Sequence, residues 1–113
     1  CIKTSPRLSG NWKIGLALFG AFWVWSSMQK CQNKNFDLIL YQAGVDVLKE
    51  DSLGNLSLTA QGIIERDRFI FSFARERNIP LALVLGGGYS KPISHTVKAH
   101  INTYKVAKNI FNF

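Results

Sequence analysis

The chain has 113 residues, which is enough for one small domain. Hydrophobic residues make up 47% of it and charged residues only 19%, and this composition excludes an intrinsically disordered chain. The formal net charge of +7 raises the question of a nucleic-acid-binding surface. The lysines and arginines are spread along the chain, however, without a run of like charges or a basic-aromatic motif. We therefore expect no specific nucleic-acid partner.

The first 35 residues form an apolar, tryptophan-rich segment. Residues 14–25 are almost continuously apolar, but this run is shorter than the ~20 residues that a membrane-spanning helix needs. Basic residues precede it, as in a signal peptide, yet no small-residue cleavage pattern follows. Three interpretations stay open: a buried helix or strand, a membrane or signal segment, and non-native sequence. The length of the run argues against a membrane partner.

The cysteines and the first residue bear on the origin of the chain. Cys1 and Cys31 match no metal-ligand spacing, and two free thiols in a reducing compartment are the simpler interpretation. The chain begins with Cys and not with Met. We therefore expect either a processed protein or a piece of a longer one.

From residue 36 onward, strand and helix signals alternate. Residues 36–41 form a short apolar run, which is typical of a strand buried on both faces, and residues 45–58 then form a long loop of the kind that is usually functional. Thr59 is a favourable N-cap for a helix that should end near Arg77, since Asn78 tolerates a left-handed backbone and Pro80 cannot continue a helix. On this helix the apolar side chains should face the core, and solvent should surround Arg66, Arg68, Arg75 and Glu76.

A second apolar run, residues 81–85, predicts another buried strand and leads into three consecutive glycines and Tyr89. Pro92 is expected in the first turn of a final helix, whose apolar face should carry Val97, Ile101 and Tyr104. The order is strand, loop, helix, strand, glycine loop, helix. This order predicts an α/β fold with a βαβα unit, in which the strands are parallel and joined by a right-handed crossover.

The carboxyl ends of parallel strands are where such folds place their chemistry. Asp46 follows the first strand, and its carboxylate is either a hard ligand for a divalent metal or a loop aspartate that caps nearby amides. Tyr89 follows the glycines, and its side chain either projects into a cleft as a hydrogen-bond donor or packs as an aromatic that closes the strand. His95 and His100 lie five residues apart, on different faces of a helix, and are not predicted as a metal pair.

The glycines at 86–88 indicate a close approach of the backbone to a ligand or to another segment. They lack the spacing of a dinucleotide-binding or phosphate-binding loop. No nucleotide cofactor is therefore predicted from them.

Three segments resemble the arginase/deacetylase superfamily in this order and at these separations: residues 38–46 (LILYQAGVD), 51–59 (DSLGNLSLT) and 84–90 (VLGGGYS). Within that superfamily, the chain looks most like bacterial-type histone deacetylase-like proteins related to the class IV branch, over residues 36–109. The resemblance implies that residues 36–113 are the C-terminal part of a three-layer domain with a parallel sheet. Residues 1–35, the helical or apolar N-terminal segment, do not resemble the family.

The resemblance also implies roles for individual residues. Asp46 matches the second zinc-binding aspartate of the family, and Tyr89 matches the tyrosine that hydrogen-bonds the acetyl oxygen of the substrate. Gly87 and Gly88 match the glycines that shape the floor of the acyl-lysine tunnel. The implied reaction is zinc-dependent hydrolysis of an acetylated lysine in a protein, or of an acetylated small amine. The implied location is the cytoplasm of a bacterium, or the nucleus or cytoplasm of a eukaryote.

Part of the family's site has no counterpart in this sequence. The Asp-x-His motif that supplies further zinc ligands and the tandem histidines that serve as general acid and base are both absent. One carboxylate and one tyrosine do not hold a zinc ion, which takes about three protein ligands. We therefore expect a deacetylase fragment that is inactive alone; the alternatives are an inactive scaffold or interaction module and, less favoured, a membrane-anchored protein.

Overall fold

The computed structural model describes residues 36–113. Strand β1 (Ile39–Gly44) is followed by helix α1 (Ala60–Glu76), strand β2 (Leu81–Gly86) and helix α2 (Ser94–Phe111). The two strands pair in parallel, with Ile39 opposite Leu81 and Gly44 opposite Gly86. The predicted βαβα unit is thereby confirmed, whereas the three-layer arrangement stays a prediction. The predictions for residues 1–35 lie outside the described residues.

Local signals place both ends of α1. The backbone of Thr59 is extended, and its hydroxyl accepts a hydrogen bond from the Gly62 N–H at 3.1 Å, which confirms the predicted N-cap. At the other end, Asn78 adopts a left-handed backbone with φ 53, and the Ile79 N–H donates to the Ala74 carbonyl at 2.9 Å. The helix therefore ends where the sequence predicts.

The core lies between one face of the sheet and the two helices. Tyr41 and Ala43 point into it from β1, and the helices add four buried residues: Ile70, Phe71, Val106 and Ala107. The opposite face of the sheet is not covered by residues 36–113, since Leu40 is 76% exposed and Val84 52% exposed. The expectation that the strands are buried on both faces is therefore wrong for the described part of the chain, because both helices pack on the same face.

Helix α2 is rotated and shifted relative to the prediction. Val97, Ile101 and Tyr104 are about half exposed, and the buried side chains are Thr96, Ala99, Thr103, Val106 and Ala107. Because the face that carries Thr103 points inward, the Thr103 hydroxyl donates to a buried carboxylate oxygen of Asp67 at 2.6 Å. The helix begins at Ser94 and not at Pro92, which follows a cis peptide bond.

The buried carboxylate of Asp67 joins three of the four elements. It accepts hydrogen bonds from the Tyr41 hydroxyl of β1, the Thr103 hydroxyl of α2 and the neighbouring guanidinium of Arg66. Burial raises the pKa of Tyr41 far above its ordinary value, although the Arg66 charge opposes the shift, so the phenol stays protonated and donates. A buried charge with this many partners is satisfied.

Arg66 does not face solvent, contrary to the sequence-based expectation. Its side chain is only 12% exposed and forms an ion pair with Asp67 at 2.8 Å. A further guanidinium nitrogen donates to the carbonyl of Gly44, the last residue of β1, at 2.7 Å. The long side chain of Arg66 thus extends from α1 to the end of β1, where its charged group is largely buried. Helical periodicity, which considers only the position of the residue on the helix, does not predict this contact.

Neither helix in residues 36–113 is long and apolar enough to cross a membrane.

Asp67→Asn should lower the free energy of unfolding by roughly 3 kcal/mol, because it leaves a largely buried guanidinium without its counter-charge. Urea unfolding followed by circular dichroism measures the change. Glu65→Gln on the exposed face of α1 is the matched control, with an expected effect within about 0.5 kcal/mol. Equal effects of the two substitutions would show that the Asp67 network does not stabilise the fold.

Candidate functional site

Two loops meet at the carboxyl edge of the sheet. Beyond the paired strands, the Val45 N–H donates to the Gly86 carbonyl at 3.0 Å, so the parallel pairing continues into both loops. Asp46 follows directly on one side, and the glycines and Tyr89 follow on the other. The structure therefore brings the Asp46 loop and the Tyr89 loop together at one edge, which is where α/β folds place ligands.

Glycines enclose the exposed side chain of Asp46. Gly87 has a φ of +62, and a Cβ built on it would lie 2.8 Å from both Cβ and Cγ of Asp46. A Cβ on Gly44 would lie 3.0 Å from Oδ1 of Asp46. A Cβ on Gly54 would lie 1.7 Å from the main-chain carbonyl oxygen of Asp46. The position of the Asp46 carboxylate thus depends on the absence of side chains around it.

Gly88 passes through an equally narrow gap. Its φ is +108, and a Cβ there would lie 2.3 Å from Cγ2 of Thr96 and 2.9 Å from Cγ2 of Val45. The close approach indicated by the glycine run is therefore an approach to other protein segments: the exit of β1 and the first turn of α2. The tunnel-floor role of Gly87 and Gly88 stays a prediction.

Tyr89 has an exposed side chain on a tightly held main chain. The side chain is 56% exposed, so it does not close a core within residues 36–113. The Tyr89 N–H donates to Oδ2 of Asp51 at 2.7 Å, and the Tyr89 carbonyl accepts from the Ser52 hydroxyl at 2.5 Å. The next residue, Ser90, is buried and its hydroxyl accepts from the Thr96 N–H at 2.9 Å. The main chain is thus anchored on both sides of the phenol.

Asp51 and Ser52 belong to the site but were not predicted as site residues. The hydrogen bonds that Asp51 forms within its own loop have a sequence signal. An aspartate followed by a glycine three positions later is typical of a turn in which the carboxylate caps backbone amides. Oδ1 of Asp51 does accept from the N–H groups of Leu53 and Gly54, at 2.9 and 2.8 Å. The contact with Tyr89, 38 residues away, has no such signal.

The same hydrogen bonds change the acidity of Asp51. The Tyr89 N–H has the largest effect and holds the pKa of Asp51 below its ordinary value of 3.8, with Leu53 and Gly54 contributing further and partial desolvation opposing. Asp51 is therefore ionised across the neutral and mildly acidic range. A negatively charged acceptor strengthens the bond to the Tyr89 amide.

The described residues do not complete a metal site. Within residues 36–113, no three His, Cys, Asp or Glu side chains lie close enough together to hold a metal ion. Asp46 supplies one oxygen ligand, and a zinc site needs about three protein ligands. His95 and His100 are not part of any such group. These residues alone therefore do not fit a zinc ion, and Asp46 as a zinc ligand stays a prediction.

Comparison with known proteins identifies the family. The sequence model of the histone deacetylase domain matches residues 24–104. The chain therefore belongs to the histone deacetylase family, which confirms the family predicted from the three sequence segments. The predicted domain boundary after residue 35 stays a prediction.

Curated relatives are matched over part of their length. Histone deacetylase 2 of Arabidopsis thaliana is 43% identical over 67 residues, which cover 58% of this chain and 17% of that protein. An uncharacterized protein of Picosynechococcus sp. is 37% identical over 75 residues, which cover 66% of this chain and 25% of that protein. The matched part of the chain thus spans a quarter or less of the length of these relatives.

Gly87→Ala should displace the Asp46 side chain and lower the free energy of unfolding by about 1–3 kcal/mol, because the residue has a positive φ and no room for a methyl group. Amide chemical shifts around Asp46 report the displacement, and urea unfolding reports the stability. Gly62→Ala is the control, since a Cβ there meets atoms only at 3.5 Å or more and lies in a helix. We expect it to be neutral or stabilising by about 1 kcal/mol. Unchanged shifts at Asp46 in the Gly87 variant would contradict this prediction.

The contribution of Asp51 to stability should depend on pH. A lowered pKa in the folded state means that ionised Asp51 stabilises the fold above the ordinary pKa of 3.8, and that this contribution is lost as the pH falls through the folded-state value. The difference in unfolding free energy between the wild-type protein and Asp51→Asn should be constant from about pH 5 to 7, because this range lies roughly one unit or more above the ordinary pKa of an aspartate. The difference should shrink when the pH is lowered to roughly 3. Urea titrations at these pH values measure it. A difference that stays the same at low pH would show that the Asp51 charge is not involved.

Proposed function

We propose that the chain provides the C-terminal part of a deacetylase active site, with Asp46 as a metal ligand and Tyr89 as the donor to the reacting carbonyl. The observation that carries this proposal is the junction of the two loops: Gly87 packs against the Asp46 side chain, and the exposed Tyr89 follows two residues later. Membership of the histone deacetylase family supports it. The substrate class is an acetylated lysine in a protein or a related acetylated amine.

Tyr89 acts in the proposed reaction through its phenol. When water adds to the acetyl carbonyl, negative charge develops on the oxygen, and a fixed hydrogen-bond donor stabilises that charge more than it stabilises the substrate. The exposed side chain on an anchored main chain suits such a donor, because little reorganisation is needed at the moment of reaction. Loss of a donor of this kind costs about 10²–10³ in kcat.

Asp46 supplies one ligand in the proposed site. Histone deacetylases are generally zinc-dependent, and a bound zinc ion polarises the carbonyl and lowers the pKa of its bound water. The remaining ligands and the general acid and base would come from outside residues 36–113, since the described residues hold no cluster of three ligands. Gly87 and Gly88 would contribute to the floor of the acyl-lysine tunnel through their backbone, since Asp46, Thr96 and Val45 fill the space that side chains would take there.

An inactive scaffold or interaction module is the second candidate function. The observation that favours it is the apolar face of the sheet that residues 36–113 leave uncovered, where Leu38 is 52% exposed and Leu40 76% exposed. Exposed apolar residues clustered in this way are typical of surfaces that contact other protein segments. In this case the chain would keep the fold and the position of Asp46 without catalysing the reaction.

Grafting separates the two candidates. Residues 36–109 replace the corresponding segment of a catalytically active histone deacetylase, and the hybrid is assayed for zinc content and for hydrolysis of an acetyl-lysine peptide. We expect the hybrid to bind zinc and to turn over. Tyr89→Phe should retain zinc and lower kcat by about 10²–10³, because one oxyanion donor is lost, whereas Asp46→Asn should lose zinc and activity together.

Asp37→Asn is the matched control, since Asp37 is exposed and precedes β1 at the opposite end of the strand. A hybrid that binds zinc but does not turn over would favour the scaffold. Full activity of the Tyr89→Phe hybrid would exclude the role of the phenol. The 113-residue chain by itself should show no turnover, and turnover that depends on Tyr89 would show that its own ligand set is complete.

A further inference from the structure

We propose that Asp51 is a positioning residue for Tyr89 and that Ser52 assists it. We call the hydrogen bonds from Asp51 and Ser52 to the main chain of Tyr89 the Asp51–Ser52 clasp. The inference rests on the proposed function in one respect, because the purpose of the clasp is to hold the phenol where it meets the acetyl oxygen. Asp51 itself would touch neither substrate nor metal.

The clasp satisfies both main-chain polar groups of Tyr89 from one loop. The Asp51 carboxylate accepts from the Tyr89 N–H at 2.7 Å. The Tyr89 carbonyl accepts from the Ser52 hydroxyl at 2.5 Å and from the Ser52 N–H at 3.3 Å. Asp51 also forms a bridge with Ser90 in the antiparallel sense. Two consecutive residues of the loop after β1 thus hold one residue of the loop after β2 along its backbone.

The two oxygens of Asp51 have different partners. Oδ1 accepts from the N–H groups of Leu53 and Gly54 in its own loop, whereas Oδ2 accepts from Tyr89. The first set of bonds fixes the carboxylate, so the second oxygen is presented to Tyr89 in a constant direction. Because the acceptor is ionised, the bond to the Tyr89 amide is stronger than a neutral one.

The segments on both sides of Tyr89 are also held in place. Gly87 and Gly88 both have positive φ and no side chain, and glycine has the largest backbone freedom of any residue. Packing against Asp46, Val45 and Thr96 confines these glycines on the N-terminal side of Tyr89. On its C-terminal side, Ser90 is anchored to Thr96. The clasp adds direct hydrogen bonds at Tyr89 itself, and catalytic groups need positions held within about 0.5 Å.

A positioning role and a general structural role differ in which amides exchange faster when the clasp is lost. Asp51 is half-buried, Ser52 is exposed, and both lie outside the two buried apolar clusters. Loss of the clasp should therefore increase the exchange of the Tyr89 amide by much more than that of the core amides around Phe71. A residue that only stabilised the fold as a whole would instead accelerate both to the same degree.

The test uses the full 113-residue chain labelled with ¹⁵N, and it measures the hydrogen exchange of individual amides and the χ1 couplings of Tyr89. Asp51→Asn keeps one carbonyl oxygen for Leu53 and Gly54 and removes the charged acceptor of the Tyr89 amide. We expect the Tyr89 amide to exchange roughly tenfold to a hundredfold faster, the scale of a lost hydrogen bond to a charged group. The χ1 couplings should move toward rotamer averaging. The Phe71 amide should accelerate much less than the Tyr89 amide, because it reports only the change in global stability.

Two further variants make the result specific. Ser52→Ala removes the bond to the Tyr89 carbonyl and should also increase rotamer averaging of Tyr89, which keeps the test open if Asp51→Asn does not fold. Glu50→Gln is the matched control, because it neutralises a carboxylate of the same loop whose ion pair is with Lys49 and not with Tyr89. It should leave the exchange rate and the couplings of Tyr89 unchanged.

The clasp is overturned if the Tyr89 amide exchanges at the wild-type rate in Asp51→Asn, or if core amides accelerate to the same degree. It is likewise overturned if Glu50→Gln has the same effect as Asp51→Asn. These measurements need no turnover, so they are independent of the hydrolysis assay. Accelerated exchange of Tyr89 together with an inactive hybrid deacetylase would reject the proposed function and leave the clasp in place.

Discussion

The buried carboxylate of Asp67 is the constraint on which the rest of the structure depends. A charge with no exposed surface is tolerated only when hydrogen bonds and a counter-charge surround it. Here the partners come from three elements: Tyr41 from β1, Arg66 from α1 and Thr103 from α2. Meeting this requirement sets the rotation of both helices against the sheet. Arg66 extends the constraint to the carbonyl of Gly44, two residues before Asp46, so the network also supports the edge where the candidate site lies.

At that edge, the two candidate residues are placed by different means. The side chain of Asp46 is confined from outside by glycine backbone, above all by Gly87. Tyr89 is held through its own main chain, and its side chain is left exposed. Both arrangements fix a candidate side chain and leave it exposed, which suits the proposed site because a substrate must reach it. The chain belongs to the histone deacetylase family and matches a quarter or less of the length of its curated relatives, so the rest of the proposed site would be built by other residues.

Local signals predicted the elements well and their faces less well. Thr59 and Asn78 marked the ends of α1 because a cap or a left-handed stop acts within a few residues of its own position. The face of α2 was predicted wrongly, because its large apolar residues, such as Ile101, point away from the core of the described residues. The face that packs carries alanine and threonine instead, for example Thr103. Periodicity reports which residues share a face, but it does not report which face meets a partner.

The sequence by itself determined the order of the elements, the parallel pairing of the strands, the edge at which Asp46 and Tyr89 lie, and the family. Each of these follows from residues close together in the chain or from short motifs in a fixed order. Only the tertiary structure decided that Arg66 turns inward to Asp67 and that Asp51 holds Tyr89 across 38 positions. A polar side chain can be satisfied by any donor or acceptor that the fold brings within about 3 Å, and distance along the chain does not restrict that choice. Long-range polar partners are therefore decided by packing and cannot be read from local pattern.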